Sequence, residues 1–297
     1  MTIKLMLAKE GSLSDLKRPG YIGETKFDGT RALVIKKDGE VKIQNRHGVD
    51  YTRRIPEIVE AAQKIPDEDF VIDGELVYIN PKGEIKFTPC QRRCATTDLG
   101  ARFYLMETKG IKLHFCTWSL LELDGENMEG WGYLEQKKVL HDLIPSKLRI
   151  RYTPHRFDLE RFFQETKEQN WEGIIIKRMD GRYYHHRSYS WKKIKNWRHQ
   201  ICTVVGYTPG KNSRQPYFGS LVLAEDGEYR GCAGSGFTDH QLKQLKQRLV
   251  DLPKTGKPFE IGKPYVPVQP DLKVLVKYYQ ITDAGHMRFP VFKDIVS

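Results

Sequence analysis

Apolar and polar residues alternate from Tyr21 to Lys26 and again from Arg31 to Lys37, and Asp38-Gly39 is a hairpin signal ahead of a third such run, Val41 to Gln44. Lys26 therefore ends a strand. From Arg54 to Ile65 the period lengthens, with Ile55, Ile58, Val59, Ala62 and Ile65 at helical spacing. Phe70 to Ile79 returns to strand, and because side chains alternate across a sheet, Asp73 and Glu75 project from one face. Thr88 to Glu107 and Tyr133 to Leu143 read as helices, and Lys112 to Leu121 as a strand carrying Trp118 in its second half. Asp158 offers a cap for a helix running to Gln169, which leads into the strand Trp171 to Lys177. Lys193 and Lys195, two apart, share one face of a further strand. The alternation predicts an α+β fold, antiparallel sheets flanked by helices.

Beyond Lys195 the runs shorten. Ile201 to Tyr207, Phe218 to Ala224 and Glu228 to Ala233 are strand-like, and Thr238 to Val250 is an amphipathic helix. Leu272 to Ile281 is a last strand after Pro- and Gly-rich punctuation between Pro253 and Pro267. The change of texture sets a boundary between Asn196 and Gln200 and divides the chain into residues 1–197 and 198–297. Short strands with one helix fit a five-stranded Greek-key barrel of the OB type, and a generic small β domain fits almost as well.

Composition narrows the class. At 297 residues, 39% hydrophobic and 29% charged, the chain reads as a soluble globular protein with room for two cores. It has no apolar run of bilayer-spanning length, and the start from Met1 to Lys9 is interrupted by lysine, unlike a secretory leader. A cytoplasmic protein with no membrane contact is expected. A net charge of +11 and a pI near 9.3 favour an anionic partner, nucleic acid first. Ribosome-associated and membrane-surface proteins share this balance, so charge alone does not choose. Cysteines 90, 94, 116, 202 and 232 form no CxxC pair and read as reduced thiols. His185-His186 lacks cysteine partners at zinc-like spacing.

The chemistry concentrates in Glu24-Thr25-Lys26-Phe27-Asp28-Gly29-Thr30-Arg31. A lysine amine is inert while protonated, so its use as a nucleophile calls for neighbouring cations or burial, and a phosphate target calls for cations or metal. Taken alone, the hexapeptide from Lys26 is equally a surface strand end with an Asp-Gly turn. Downstream, however, come Asn45-Arg46-His47-Gly48, then Asp73-Gly74-Glu75, Thr117-Trp118-Ser119-Leu120, Glu172-Gly173-Ile174-Ile175-Ile176-Lys177 and Trp191-Lys192-Lys193-Ile194-Lys195. This ordered set resembles the motifs of the covalent nucleotidyltransferase superfamily and, within it, the ATP-dependent DNA ligases; Lys26 to Arg31 matches the pattern KxDGxR in full. Val205 to Lys211, Tyr217 to Leu223 and Ala233 to Phe237 resemble the OB domain of the compact ligase module in bacterial ligase D and related archaeal ligases. The likeness runs from about residue 4 to 293, and it favours the OB-fold for the second domain.

The resemblance implies that Lys26 attacks the α-phosphate of ATP to give a lysyl-adenylate. AMP would then pass to the 5′-phosphate of a nick in duplex DNA, and the 3′-hydroxyl would close the gap. In this scheme Glu24 reads adenine, Trp118 stacks on it, and Arg31 and Arg46 contact phosphate. Glu75 and Glu172 would serve ribose and a metal ion, Mg²⁺ or Mn²⁺, and Asp28 would act later beside the nick and its metal. Lys177, Lys193 and Lys195 would stabilise the five-coordinate phosphorus, and Arg288 and Lys293, within Met287 to Lys293, would orient pyrophosphate. Asp73 is expected to support Glu75 without ligating, and His47 to face solvent.

Two departures from the family carry expectations. Asp294-Ile295-Val296-Ser297 stands where the family has an arginine and an acidic-lysine tail, a difference that bears on the efficiency of self-adenylation and not on the later steps. The stretch before Lys26 is too short for the helical domain with which larger members wrap DNA, so a monomer gripping the nick through basic surfaces, including Lys211 to Arg214, is expected. The alternatives are an RNA ligase or an mRNA capping guanylyltransferase with the same lysine chemistry, or a nucleic-acid-binding relative without turnover.

Overall fold

The computed structural model describes residues 3–66, 69–282 and 284–296, so Met1, Thr2 and Ser297 of the terminal segments lie outside the described residues. The chain divides into two compact units, Met1–Lys195 and Asn196–Ser297.

The strands of the first unit are β1 (Leu7–Glu10), β2 (Tyr21–Thr25), β3 (Thr30–Lys37), β4 (Glu40–Asn45), β5 (Phe70–Val77), β6 (His114–Leu123), β7 (Glu126–Asn127), β8 (Ile150–Tyr152), β9 (His155–Arg156), β10 (Gly173–Arg178) and β11 (Arg187–Lys195). Its helices are α1 (Pro56–Gln63), α2 (Phe87–Ala95), α3 (Leu99–Phe103), α4 (Tyr133–Leu143) and α5 (Leu159–Glu168). One sheet has the order β1-β11-β10-β2-β9; the other has β4-β3-β5-β6-β7, with β8 added beside β6. Pairing is antiparallel except for β1 with β11 and β8 with β6. Parallel neighbours need a crossover, and the chain between β6 and β8 makes one through α4.

Three apolar layers follow from these faces. The helix stripe Ile55, Ile58, Ala62 and Ile65 packs with Val34, Ile72 and Phe115 against the outer side of the second sheet. Leu159, Phe162 and Phe163 of α5 cover Ile174 and Ile176 on the outer side of the first sheet. Between the sheets lie Ile22 and Trp191 from one, and Leu33, Val71 and Leu121 from the other. Polar site residues on the inward faces border this middle layer.

The single helix expected from Thr88 to Glu107 is divided. Thr96 turns extended and its hydroxyl donates to the Arg92 carbonyl at 2.7 Å, and Asp98 then caps α3 by accepting from the Ala101 N–H at 2.7 Å. Short polar side chains that bond to nearby backbone compete with a continuing helix, and this pair stops one and starts another. The segment Tyr104–Thr108 closes as a π turn.

The second unit is a five-stranded antiparallel sheet in the order β14-β13-β12-β15-β16. Its strands are β12 (Arg198–Tyr207), β13 (Leu221–Glu225), β14 (Glu228–Ala233), β15 (Val266–Tyr278) and β16 (Val291–Val296). Helix α6 (Asp239–Asp251), capped by Thr238, buries Leu242, Leu245 and Leu249 against the strand core. Backbone bonds from Met287 N–H to the Arg230 carbonyl at 2.7 Å and from Phe292 N–H to the Ser235 carbonyl at 2.9 Å tie the far edges together. Five strands and a helix are the content expected of an OB-fold. All five cysteines are free thiols. Among the described residues no helix is long and apolar enough to cross a membrane.

Candidate active site

Lys26 follows the last residue of β2 and extends its ladder, donating its amide to the Gly173 carbonyl at 3.0 Å. Its Nζ lies 2.5 Å from Glu172 Oε2, and Lys195 Nζ lies 4.0 Å from the other oxygen of that carboxylate. The antiparallel register sets this up, because Gly173 pairs with Lys195 and Glu172 precedes Gly173. Burial raises the Glu172 pKa above the usual carboxylate value against the opposing pull of Lys26, and burial lowers that of Lys195. Asp28 adds a further negative field at Glu172.

Glu75 reaches the same neighbourhood from β5, where it pairs with Arg31 of β3. Burial pushes its carboxyl up to about 8, although Lys26 and Arg31 favour the charged form. Gly29 makes this approach possible. A Cβ there would lie 2.1 Å from the Leu76 carbonyl oxygen and 2.9 Å from Glu75 Cγ, so a side chain would force the Lys26 to Thr30 loop away from β5.

Behind these groups sit two buried polar clusters. Arg31 grips Asp73 with both arms of its guanidinium, Nε to Oδ1 at 3.0 Å and Nη2 to Oδ2 at 2.6 Å, and donates to the Met6 carbonyl at 2.5 Å. Tyr183 Oη and Trp118 Nε1 also donate to Asp73 Oδ2, at 3.0 and 3.3 Å. Asp73 is thus the anchor for Arg31 and for the Trp118 ring. In the second cluster, Glu24 accepts from Lys177 Nζ at 2.7 Å and Tyr133 Oη at 2.7 Å, with Lys137 Nζ at 3.0 Å. Burial alone would raise the Glu24 pKa, but Lys137 and Lys177 outweigh it and hold the carboxylate below its ordinary value. Burial pulls Lys177 down to about 7. The ammonium of Lys177 lies 4.9 Å from the Trp118 ring centroid and 4.2 Å from that of Trp191.

Trp118 owes its direction to a β-bulge. Along β5 and β6, Asp73 pairs with Ser119 and Gly74 with Thr117, so Trp118 is an extra residue without a partner. The bulge switches strand parity: Phe115 and Leu120 both face the outer core, while Trp118 joins the layer between the sheets. Gly74 fits opposite, where a Cβ would lie 2.4 Å from the Cys116 carbonyl oxygen.

The remaining candidates are more dispersed. Lys193 Nζ pairs with Glu10 at 2.9 Å on the neighbouring β1. Arg46 is exposed in a loop held by the Asn45 side chain, and its Nε faces His47 Nε2 at 2.9 Å. Arg288 and Lys293 belong to the second unit: Arg288 packs on the Tyr279 and Phe289 rings, and Lys293 is exposed on β16. Sequence reasoning missed Tyr133, Lys137 and Tyr183. One signal was available for α4, whose buried stripe Tyr133, Gln136, Lys137, Leu140 and Leu143 contains two polar residues that need buried partners.

Among the described residues no three His, Cys, Asp or Glu side chains are grouped to cage a metal. Glu75 and Glu172, which both feel Lys26, fit Mg²⁺ instead, since that ion uses one or two carboxylates and fills its shell with phosphates and water.

A half-buried lysine-carboxylate pair at a strand end, an aromatic carried by a bulge and a second β unit together describe a nucleotidyltransferase of the ligase type. Residues 5–195 match the family model of the ATP dependent DNA ligase domain, and residues 214–296 match that of the ATP dependent DNA ligase C terminal region; the chain belongs to the ATP-dependent DNA ligase family. It is 30% identical over 294 residues to the multifunctional non-homologous end joining DNA repair protein LigD of Mycobacterium tuberculosis, covering 95% of this chain and 37% of that protein. It is 30% identical over 275 residues to the DNA ligase of Thermococcus fumicolans, covering 87% of this chain and 47% of that protein. The chain therefore spans less than half the length of these two relatives. The crystal structure of the ligase domain from M. tuberculosis LigD superposes with a TM-score of 0.60 at 27% identity, covering 99% of this chain and 95% of that one. A Lig E DNA ligase structure shares the fold, with a TM-score of 0.68 at 19% identity and full coverage of both chains, 100% and 100%.

Proposed function

We propose that this chain is an ATP-dependent DNA ligase that seals 5′-phosphate/3′-hydroxyl nicks in duplex DNA, acting as a monomer inside the cell. The observation that carries the reading is the 2.5 Å contact between Lys26 and Glu172, with Lys195 and Glu75 in the same neighbourhood. Lys26 Nζ attacks the α-phosphorus of ATP; a P–N bond forms, the bond to pyrophosphate breaks, and Glu172 takes the proton that the amine loses. Lys195 and Lys193 supply positive charge where the phosphoryl oxygens gather it. Mg²⁺ held by Glu75 and Glu172 would neutralise phosphate charge. Trp118, backed by Asp73, offers its ring to adenine, and the Glu24 cluster with Lys177, Tyr133 and Lys137 fixes the floor beneath it.

AMP then moves from Lys26 to the 5′-phosphate of the nick. Attack by the 3′-hydroxyl, with Asp28 beside it, expels AMP and leaves a phosphodiester. Arg31 works through Asp73 to hold β3 and β5 in register, Arg46 is a phosphate contact, and Arg288 and Lys293 orient pyrophosphate in the first step.

The test is closure of a nicked duplex with ATP and Mg²⁺. Sealing that requires Lys26 supports the reading. Sealing confined to RNA nicks, or adduct formation from GTP in preference to ATP, points instead to an RNA ligase or a capping enzyme.

A further inference from the structure

Two adjoining grooves on the first unit take no part in the chemistry above. One, of about 370 Å³, is lined by Lys9, Arg187 and exposed aromatics; the other, of about 580 Å³, runs past Arg18. They share Tyr21 and Arg178, which pair across β2 and β10, so the two form one trough. Tyr21 opens β2 and Lys26 follows its last residue, roughly 16 Å away at the rise of an extended chain.

Among the described residues four cations line the trough, and Asp180 is the one acidic side chain there. Asp180 engages Arg178 at 2.7 Å, and Arg18 is held by Asp15 at 2.8 Å. Arg187 donates to the Ala8 carbonyl at 2.6 Å, and Lys9 Nζ sits 4.9 Å from the Tyr189 ring centroid; among the described residues neither has a carboxylate partner. The rings are unusually open. Tyr189 is 68% exposed, and Tyr184, 38% exposed, stacks on His186 at 5.5 Å and 22°.

Open aromatic faces beside cations suit a chain that carries both planar groups and regularly spaced negative charge. Unpaired nucleotides offer both, because their bases can stack on side chains while their phosphates meet lysine and arginine. A duplex presents phosphates but keeps its base faces covered, and it would leave the rings unused. We propose that this trough binds an unpaired single strand of nucleic acid, apart from the site that acts on the nick. The trough depends on neither Lys26 nor any residue given a role in ligation.

The experiment is fluorescence anisotropy of a labelled oligo-dT with the full chain over a salt series, alongside the Tyr184→Ala/Tyr189→Ala double variant and its Phe/Phe counterpart. Stacking contributes enough per base that losing both rings should weaken binding on the order of tenfold or more, with Phe/Phe retaining most of the affinity. Nicked-duplex sealing should be unchanged in both variants. Equal affinity for wild type and Ala/Ala, or no wild-type binding of oligo-dT, would overturn the proposal. So would an acidic polypeptide such as poly-Glu competing as well as oligo-dT, since the trough would then read charge on a protein and not bases.

Discussion

If Lys26 is the nucleophile, Glu172, 2.5 Å from its Nζ, is the group placed to take its proton. Replacing Glu172 by Gln keeps the shape and removes the acceptor, and AMP adduct formation should slow by roughly 10²–10⁴-fold, the usual range for a lost general base, read by single-turnover labelling. Glu75 makes a different prediction. Its carboxyl, ordinarily near 4.5, is held up to about 8 by burial. Between those values the unfolded chain has released a proton that the folded chain keeps, so stability falls as pH rises through this window. Wild type should therefore lose stability relative to Glu75→Gln from pH 4.5 to 8, with the difference level above 8, in paired urea titrations. That Lys26, Glu172 and Glu75 come together could be read from the order of motifs. The Arg31 grip on Asp73 could not, since an arginine two residues after a glycine fits a phosphate contact as well as an ion pair.

At the scale of elements, α2 is tied to α1 by an ion pair with no exposure at Arg93, whose Nη2 meets both oxygens of Glu57 at 2.9 and 3.0 Å. Arg93 also donates to the Arg54 and Ile111 carbonyls, and Glu57 accepts from the Leu113 N–H. Removing one partner of such a pair leaves a buried charge, so Arg93→Ala should cost about 3–5 kcal/mol in chemical denaturation. Strands β2 to β6 and helices α1, α4, α5 and α6 were legible because each holds one apolar period for most of its length. The bulge at Trp118 was not, since strand β6 changes parity there and only its pairing with β5 shows which residue is extra. Strands β1, β7, β8 and β9 are two to four residues long, too short for alternation to stand out. The break at Thr96 to Asp98 was hidden by good helix formers on either side.

For the whole molecule, the proposed DNA substrate would meet a net charge of +11, and phosphate contacts with lysine and arginine dominate binding of that kind. Nicked-duplex binding should weaken steeply with salt in gel-shift titrations, and a flat response would deny the electrostatic grip. If Arg288 and Lys293 orient pyrophosphate, the Arg288→Ala/Lys293→Ala variant should slow formation of the enzyme adduct while still sealing a nick already adenylated on its 5′-phosphate. The change in texture after Lys195 falls where the two compact units meet in the chain, and short apolar runs mark the strands of the second. Its closing strand β16 was read only as a motif, because charge at Lys293 and Asp294 interrupts the apolar pattern. The most direct test of the covalent lysine is incubation with ATP labelled at the α-phosphate and Mg²⁺, followed by denaturing electrophoresis and acid treatment. An acid-labile AMP adduct is expected on wild type and none on Lys26→Ala; label that persists in Lys26→Ala, or wild type that never takes it up, would contradict a covalent role for Lys26.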